Sequence, residues 1–219
     1  MKPYFDQDGI TIYNADCRDI LPRVGRFDLL LCDPPYGIGE ARSGNATRSC
    51  LAQSQDYGDS AWDDGPVSLG VLTLAREISN KAIIWGGNYY ELPPTPSWLV
   101  WDKVNGENDF ADCELAWSDL GCACRMFKFM WHGMLREGES RGIPRVHPTQ
   151  KPVELMLWCI SKAKNPQSVI DPFLGSGTTL VACKKLGIRG VGIEKEEKYC
   201  EIAVKRILNT TPSLFSEEK

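Results

Sequence analysis

The sequence predicts an α/β fold built on a largely parallel sheet, and three observations carry that prediction. Short apolar segments alternate with helix-periodic ones along most of the chain. Several apolar segments are almost uninterrupted and end in a charge, as strands buried on both faces do; Phe27–Asp33 (FDLLLCD) is the clearest. The composition, 219 residues with 42% apolar and 25% charged side chains, is that of an ordinary globular chain able to bury one substantial core. That balance excludes a disordered, collagen-like or coiled-coil protein.

The elements follow in order. Thr11–Asp16 reads as a strand and Cys17–Leu21 as a short helix, followed by the strand Phe27–Asp33. Gly37–Pro66 holds five glycines and almost no aliphatic residues, which predicts a functional, mobile loop. Apolar residues at 67, 71, 72, 74, 75 and 78 predict a helix over Val67–Asn80. Lys81–Gly87 (KAIIWGG) is the next strand, and Pro93, Pro94 and Pro96 mark a turn. Trp98–Lys103, Cys113–Ser118 and Arg125–Trp131 read as strands with no long helix between them, so this end of the sheet is expected to be antiparallel. Gly133–Val146 is a polar, basic connection. Pro152 opens a helix to about Lys164, where a proline in the first turn is favourable. Ser168–Phe173 is a strand, Thr178–Leu186 a helix, Arg189–Glu194 a strand and Glu197–Leu208 the last helix, before a polar tail expected to fray.

Some classes of function drop out early. No apolar run reaches the roughly 20 residues that span a bilayer, and MKPYFDQDGI lacks the apolar core of a signal peptide. The nine cysteines contain no CxxC pair, and only His132 and His147 could join them. No metal site is therefore expected, and the thiols read as free in a reducing cytoplasm. The net charge of −4 argues against a protein that coats nucleic acid indiscriminately.

Three motifs carry chemistry. Asp171-Pro172-Phe173-Leu174-Gly175-Ser176-Gly177-Thr178-Thr179 ends one strand and opens a helix. Its glycines let backbone approach a ligand, and the helix start offers free amides. No lysine follows Gly177, so it is not a P-loop. Glu194 ends the next strand about twenty residues on, where a carboxylate can take both hydroxyls of a ribose; a tight turn with a capping Glu is the bland alternative. Asp33-Pro34-Pro35-Tyr36 ends another buried strand. Its two prolines remove two backbone donors and fix two φ angles, setting a carboxylate and carbonyls beside an aromatic ring. Such acceptors suit an –NH₂ group on a planar base, although a rigid turn would look the same. His147-Pro148-Thr149-Gln150-Lys151-Pro152, ahead of a helix, gathers polar groups that could hold a ligand or cap the helix.

DPPY, then HPTQKP, then DPFLGSGTT resembles the β group of DNA amino-methyltransferases, over roughly Thr11 to Leu208. The resemblance implies a class I, Rossmann-like methyltransferase that uses S-adenosylmethionine. It implies one domain spanning 1–219, circularly permuted, with a mostly parallel seven-stranded sheet and an antiparallel edge hairpin. Asp171, Phe173, Gly175, Ser176, Gly177 and Thr178 would cradle the methionine part of the cofactor, and Glu194 its ribose. Asp16 and Cys17 would meet the adenine ring, Thr149 and Lys151 would line the methionine side, and Asp33 would also face the cofactor. Asp33, Pro34, Pro35 and Tyr36 would be catalytic.

The amine of adenine or cytosine is a poor nucleophile because its lone pair is delocalised. The Asp33 carboxylate and Pro34 carbonyl would localise that pair by accepting its hydrogens, and Asp33 would take the proton. The target base must leave the stack, and Tyr36 would lie on it. In the family an Asp at the first motif position goes with adenine N6, so adenine is favoured here. Cytosine N4 is the alternative, with an RNA methyltransferase or a silent binding subunit further off.

From Arg125 to Lys151 six basic residues face two acidic ones, Glu137 and Glu139, inside an acidic protein. Arg136, Arg141 and Arg145, joined by Arg42 and Arg48, are the candidate phosphate contacts. Trp62 and Trp131 could stack or wedge, or serve as buried anchors, while Trp85 and Trp101 read as core. A target-recognition region of only about forty residues, within 104–146, is shorter than in many relatives. The resemblance further implies a cytoplasmic enzyme of a bacterial, archaeal or phage-infected cell, DNA as partner, no membrane, and a homodimer as an open option.

Overall fold

The computed structural model describes residues 1–37, 66–106, 111–132, 135–136 and 150–212. Eleven strands and five α-helices appear among them. In chain order the strands are β1 Phe5–Gln7, β2 Ile10–Asn14, β3 Phe27–Cys32, β4 Ser79–Trp85, β5 Leu99–Asp102, β6 Cys113–Ser118, β7 Arg125–Lys128, β8 Trp131–His132, β9 Leu135–Arg136, β10 Ser168–Asp171 and β11 Arg189–Glu194. The helices are α1 Cys17–Ile20, α2 Leu69–Glu77, α3 Val153–Lys162, α4 Thr178–Leu186 and α5 Glu197–Leu208.

Nine strands form one sheet in the order β1-β2-β11-β10-β3-β4-β6-β5-β7, and β8 and β9 make a separate ribbon. The expected seven-stranded sheet is thus corrected to nine strands. β1 folds back on β2 through Asp8 and Gly9, both at positive φ (53° and 75°), the geometry of a tight hairpin turn. β7 adds to the other edge, parallel to β5. The expectation of an antiparallel end holds for β6 alone, which runs against both β4 and β5. The strand expected over Arg125–Trp131 splits in two: β7 keeps its ladder to β5 as far as the bond from Phe129 N–H to the Asp102 carbonyl, and Trp131 pairs into the ribbon instead.

The strands alternate their side chains between two apolar layers. Leu29, Leu31, Ile83 and Trp85 face α3, α4 and α5, where they meet Leu155, Cys159, Leu180 and Ala203. Leu30, Cys32, Ala82 and Ile84 face the other way, towards Ile20 of α1 and Val71 and Ala75 of α2. A strand buried on both faces cannot be amphipathic, which is why FDLLLC is apolar almost throughout. Trp85 and Trp101 are buried in this core, 6.4 Å apart edge to face. Trp131 is a buried anchor whose indole N–H donates to the Gln150 carbonyl.

The layering brings the C-terminal ends of β2, β11, β10 and β3 to one edge of the sheet, carrying Asn14, Glu194, Asp171 and, just beyond β3, Asp33. β6 begins at that same edge because it runs the opposite way: Glu114 lies opposite Trp101 and Cys113 opposite Asp102.

Candidate functional site

A cavity of about 440 Å³ opens at this edge. Its floor is the turn between β10 and α4. Asp171 is 3% exposed there, and its Oδ1 accepts from Phe173 N–H at 3.0 Å. Burial pushes the Asp171 carboxyl up to about 7, against the bonds from Thr179 and Phe173 N–H that favour the charged form. Gly175 N–H donates to Glu194 Oε2 at 2.8 Å, and Glu196 N–H to Oε1 at 2.8 Å. Glu194 therefore clamps its own turn while each oxygen keeps a second lone pair for a ligand. Burial raises its carboxyl above the ordinary value.

Phe173, Gly175, Ser176 and Thr178 line this cavity, but Gly177 does not. Its φ of 84° and its contact with α5 give it a packing role: a Cβ there would fall 2.7 Å from Ala203 Cβ. Arg206 of α5 fixes the turn from behind, donating to Ser176 O at 2.6 Å, Ser176 Oγ at 2.9 Å and Thr178 Oγ1 at 3.1 Å.

The β2–α1 junction forms the next wall. Asp16 caps α1 by accepting from Arg18 N–H at 2.9 Å and pairs with the Arg18 guanidinium at 2.5 Å. Those bonds hold its carboxyl down at about 2. Cys17 beside it also lines the cavity, and burial pushes its thiol up to about 11.

The third wall is the segment after β3. Asp33 and Pro35 line the cavity; Pro34 and Tyr36 stand next to it without lining it. The Asp33 carboxylate has a partner on each oxygen. The Tyr36 hydroxyl donates to Oδ1, and the Lys151 ammonium to Oδ2 at 2.5 Å. The turn is fixed by the Tyr90 hydroxyl and Val67 N–H, both donating to the Pro35 carbonyl. Among the described residues no donor occupies the Pro34 carbonyl, which leaves an acceptor beside a carboxylate. The Tyr36 ring stacks on Tyr89 with centroids 4.8 Å apart and packs on Gly86, where a Cβ would fall 2.0 Å from it.

Lys151 lines the cavity and turns its ammonium to Asp33 and, at 3.1 Å, to Glu114 Oε2. Thr149, Arg42, Arg48, Arg141, Arg145 and Trp62 lie outside the described residues, as do 38–65 of the expected loop and much of 104–146. Arg136 ends β9, and its side chain lies outside the description as well.

Four residues of this region were not foreseen. Glu114, Tyr89, Tyr90 and Arg206 reach the motifs only through the fold. The one sequence signal was Glu114, a carboxylate in the otherwise apolar strand CELAWS.

A cavity with carboxylates at several strand ends, free helix-start amides and one buried ammonium can hold a polyhydroxylated, cationic small molecule. Asp33 and the Pro34 carbonyl can accept two hydrogens of one amine beside it.

A family model described as DNA methylase, of the N6/N4 type, matches residues 100–205. The type II methyltransferase M2.DpnII of Streptococcus pneumoniae is 40% identical, over 94% of this chain and 92% of that protein. The M1.HpyAVI–SAM complex is similar in structure with a TM-score of 0.57 at 25% identity, covering 90% of this chain and 99% of that one. The cytosine-N4-specific PvuII DNA methyltransferase has a TM-score of 0.58 at 14% identity, a likeness of fold, covering 100% of this chain and 91% of that one. Identity at this level along nearly the full length of both sequences leaves one conclusion: the chain belongs to the N6/N4 DNA methylase family.

Proposed function

We propose that this DNA methyltransferase, which uses S-adenosylmethionine, modifies adenine at N6. The observation that carries amine methylation is the meeting of the Asp33 carboxylate, and the Pro34 carbonyl beside it, with the β10–α4 turn at one cavity; the Asp at the first position of DPPY is what favours adenine over cytosine. The cavity chemistry fits the cofactor: Glu194 keeps lone pairs for the ribose hydroxyls, Asp16 and Cys17 flank the adenine side, and Phe173, Gly175, Ser176 and Thr178 flank the methionine side. When bound, S-adenosylmethionine supplies a methyl group on a sulfonium, which passes to the amine nitrogen as the S–C bond breaks and an N–C bond forms.

The chain's own groups do the rest. Asp33 and the Pro34 carbonyl accept the two amine hydrogens and localise the lone pair on nitrogen. Asp33 then takes the proton that nitrogen must lose. Much of the rate comes from holding two reactants in line. For Tyr36 to carry the extruded base, its ring would exchange Tyr89, on which it stacks, for the base. Arg42, Arg48, Arg136, Arg141 and Arg145 neutralise phosphates along the DNA. The order of motifs, with DPPY ahead of DPFLGSGTT, supports a permuted member acting as a single domain.

Nucleoside mass spectrometry tests the reading. The protein is incubated with S-adenosylmethionine and unmethylated duplex DNA, and the DNA is digested. N6-methyladenine is the expected product. N4-methylcytosine would keep the mechanism and overturn the choice of base.

A further inference from the structure

Lys151 sits where the parallel strands end and β6 begins, with its side chain 8% exposed. Its ammonium bridges two carboxylates, 2.5 Å from Asp33 Oδ2 and 3.1 Å from Glu114 Oε2, with the Trp85 ring 5.6 Å away. The other oxygen of Glu114, Oε1, pairs with Lys103 at 2.6 Å. Two carboxylates thus alternate with two ammoniums along one line. Each of the four charges has a partner.

That balance changes during the proposed reaction. On the reading that Asp33 accepts the amine proton, on which this inference rests, the proton moves from nitrogen to an Asp33 oxygen. The bonding pair stays on nitrogen, and the proton leaves later to water. Between those events Asp33 is neutral and Lys151 remains charged. A buried ammonium facing only a neutral acid would be uncompensated, a costly arrangement away from water. Glu114 removes that cost because it holds Lys151 whether or not Asp33 is ionised. We propose that Glu114 is a positioning residue for methyl transfer: the fixed counter-ion of Lys151 that allows Asp33 to gain and release a proton.

The electrostatics agree. Burial acts to raise the Glu114 carboxyl, yet Lys151 and Lys103 hold it down at about 2, so Glu114 stays ionised throughout. Asp33 is shifted the other way, raised by burial and by the nearby Glu114 charge, with Lys151 and Tyr36 opposing. The group meant to take a proton is the one poised to do so.

Glu114→Gln keeps the shape and removes the charge. Lys151 then serves Asp33 alone. In the cofactor-free protein the Asp33 carboxyl, followed by 13C NMR, is expected to titrate at lower pH than in the wild type, while Tyr36 and Asp171 still flank it. With cofactor and DNA, kcat is expected to fall about tenfold or more, with both dissociation constants within about twofold. Glu114→Asp, which keeps the charge, is expected to retain more turnover than Glu114→Gln. An unshifted Asp33 titration with unchanged kcat overturns the proposal, as does loss of cofactor affinity in step with kcat. If Glu114→Gln does not fold, both carboxyls are followed by 13C NMR in the wild type: Asp33 is expected to protonate while Glu114 is still ionised, and protonation of Glu114 ahead of Asp33 refutes the role. Asp33→Asn separates the two levels. Turnover in that variant would sink the reading of Asp33 itself, whereas a dead Asp33→Asn beside a wild-type-like Glu114→Gln would sink only the role of Glu114.

Discussion

Asp33 has no idle oxygen: a phenol holds one and an ammonium the other. Each oxygen still keeps a second lone pair, so a base amine can join the phenol and the ammonium on a carboxylate they already hold in place. Replacing Asp33 with Ala removes the acceptor and is expected to lower turnover at least about a hundredfold while leaving cofactor affinity intact, as isothermal titration would read. Equal loss of both would refute the assignment. Glu194 differs, because its carboxylate holds the cavity wall as well as facing it. Glu194→Ala is expected to weaken S-adenosylmethionine binding by about tenfold or more and to lower the melting temperature, since Gly175 and Glu196 lose their acceptor. Asp171 yields a pH prediction. Its folded carboxyl, raised to about 7 from 3.8, favours the protonated form, so its contribution to stability is full below about pH 4 and lost as pH rises through about 7. The melting temperature of Asp171→Asn relative to wild type should therefore climb across that window and level off above it. A constant difference would mean that Asp171 titrates as an ordinary carboxyl. Asp33, Asp171 and Glu194 were legible in the sequence because each closes an apolar run with a charge. Glu114 was not, since a lone carboxylate in an apolar strand does not say which partner it meets, and Lys151 is brought to it only by the fold.

The elements show the same division between local and distant causes. β3, β10 and β11 were readable because a strand buried on both faces has no polar alternation to obscure it. α4 was readable from its glycine turn, although the reason for Gly177 was not: it makes room for α5 as well as bending the chain. Gly177→Ala should lower stability by about 1–2 kcal/mol, from its positive φ and the clash with Ala203, as denaturant unfolding would measure. A loss of cofactor affinity without loss of stability would instead mean that the glycine serves the ligand directly. β1 escaped notice because three residues, FDQ, carry no periodicity. The direction of β7 escaped because a run of three strands without helices reads as a meander, whereas the chain leaving β6 passes β5 and adds β7 to its far side, parallel to it.

For the molecule as a whole, charge is divided by sign. The chain is acidic overall, while the stretch from Arg125 to Lys151 is basic. If that stretch contacts phosphates, removing Arg141 and Arg145 together should lower the slope of log Kd against log salt by about two, with little change in cofactor affinity. An unchanged slope would exclude both arginines from the DNA contact. The strand order has a consequence for biosynthesis. β2 and β3 follow one another in the sequence, yet β11 and β10 stand between them in the sheet. As the nascent chain leaves the ribosome, a gap two strands wide stays open in the middle of the sheet until β10 and β11 have been made. Until then the facing edges of β2 and β3 lack their ladder partners and are exposed to mispairing. The β10–α4 turn and Glu194 arrive with the strands that close the gap, so no product that stops before Glu194 carries the complete site.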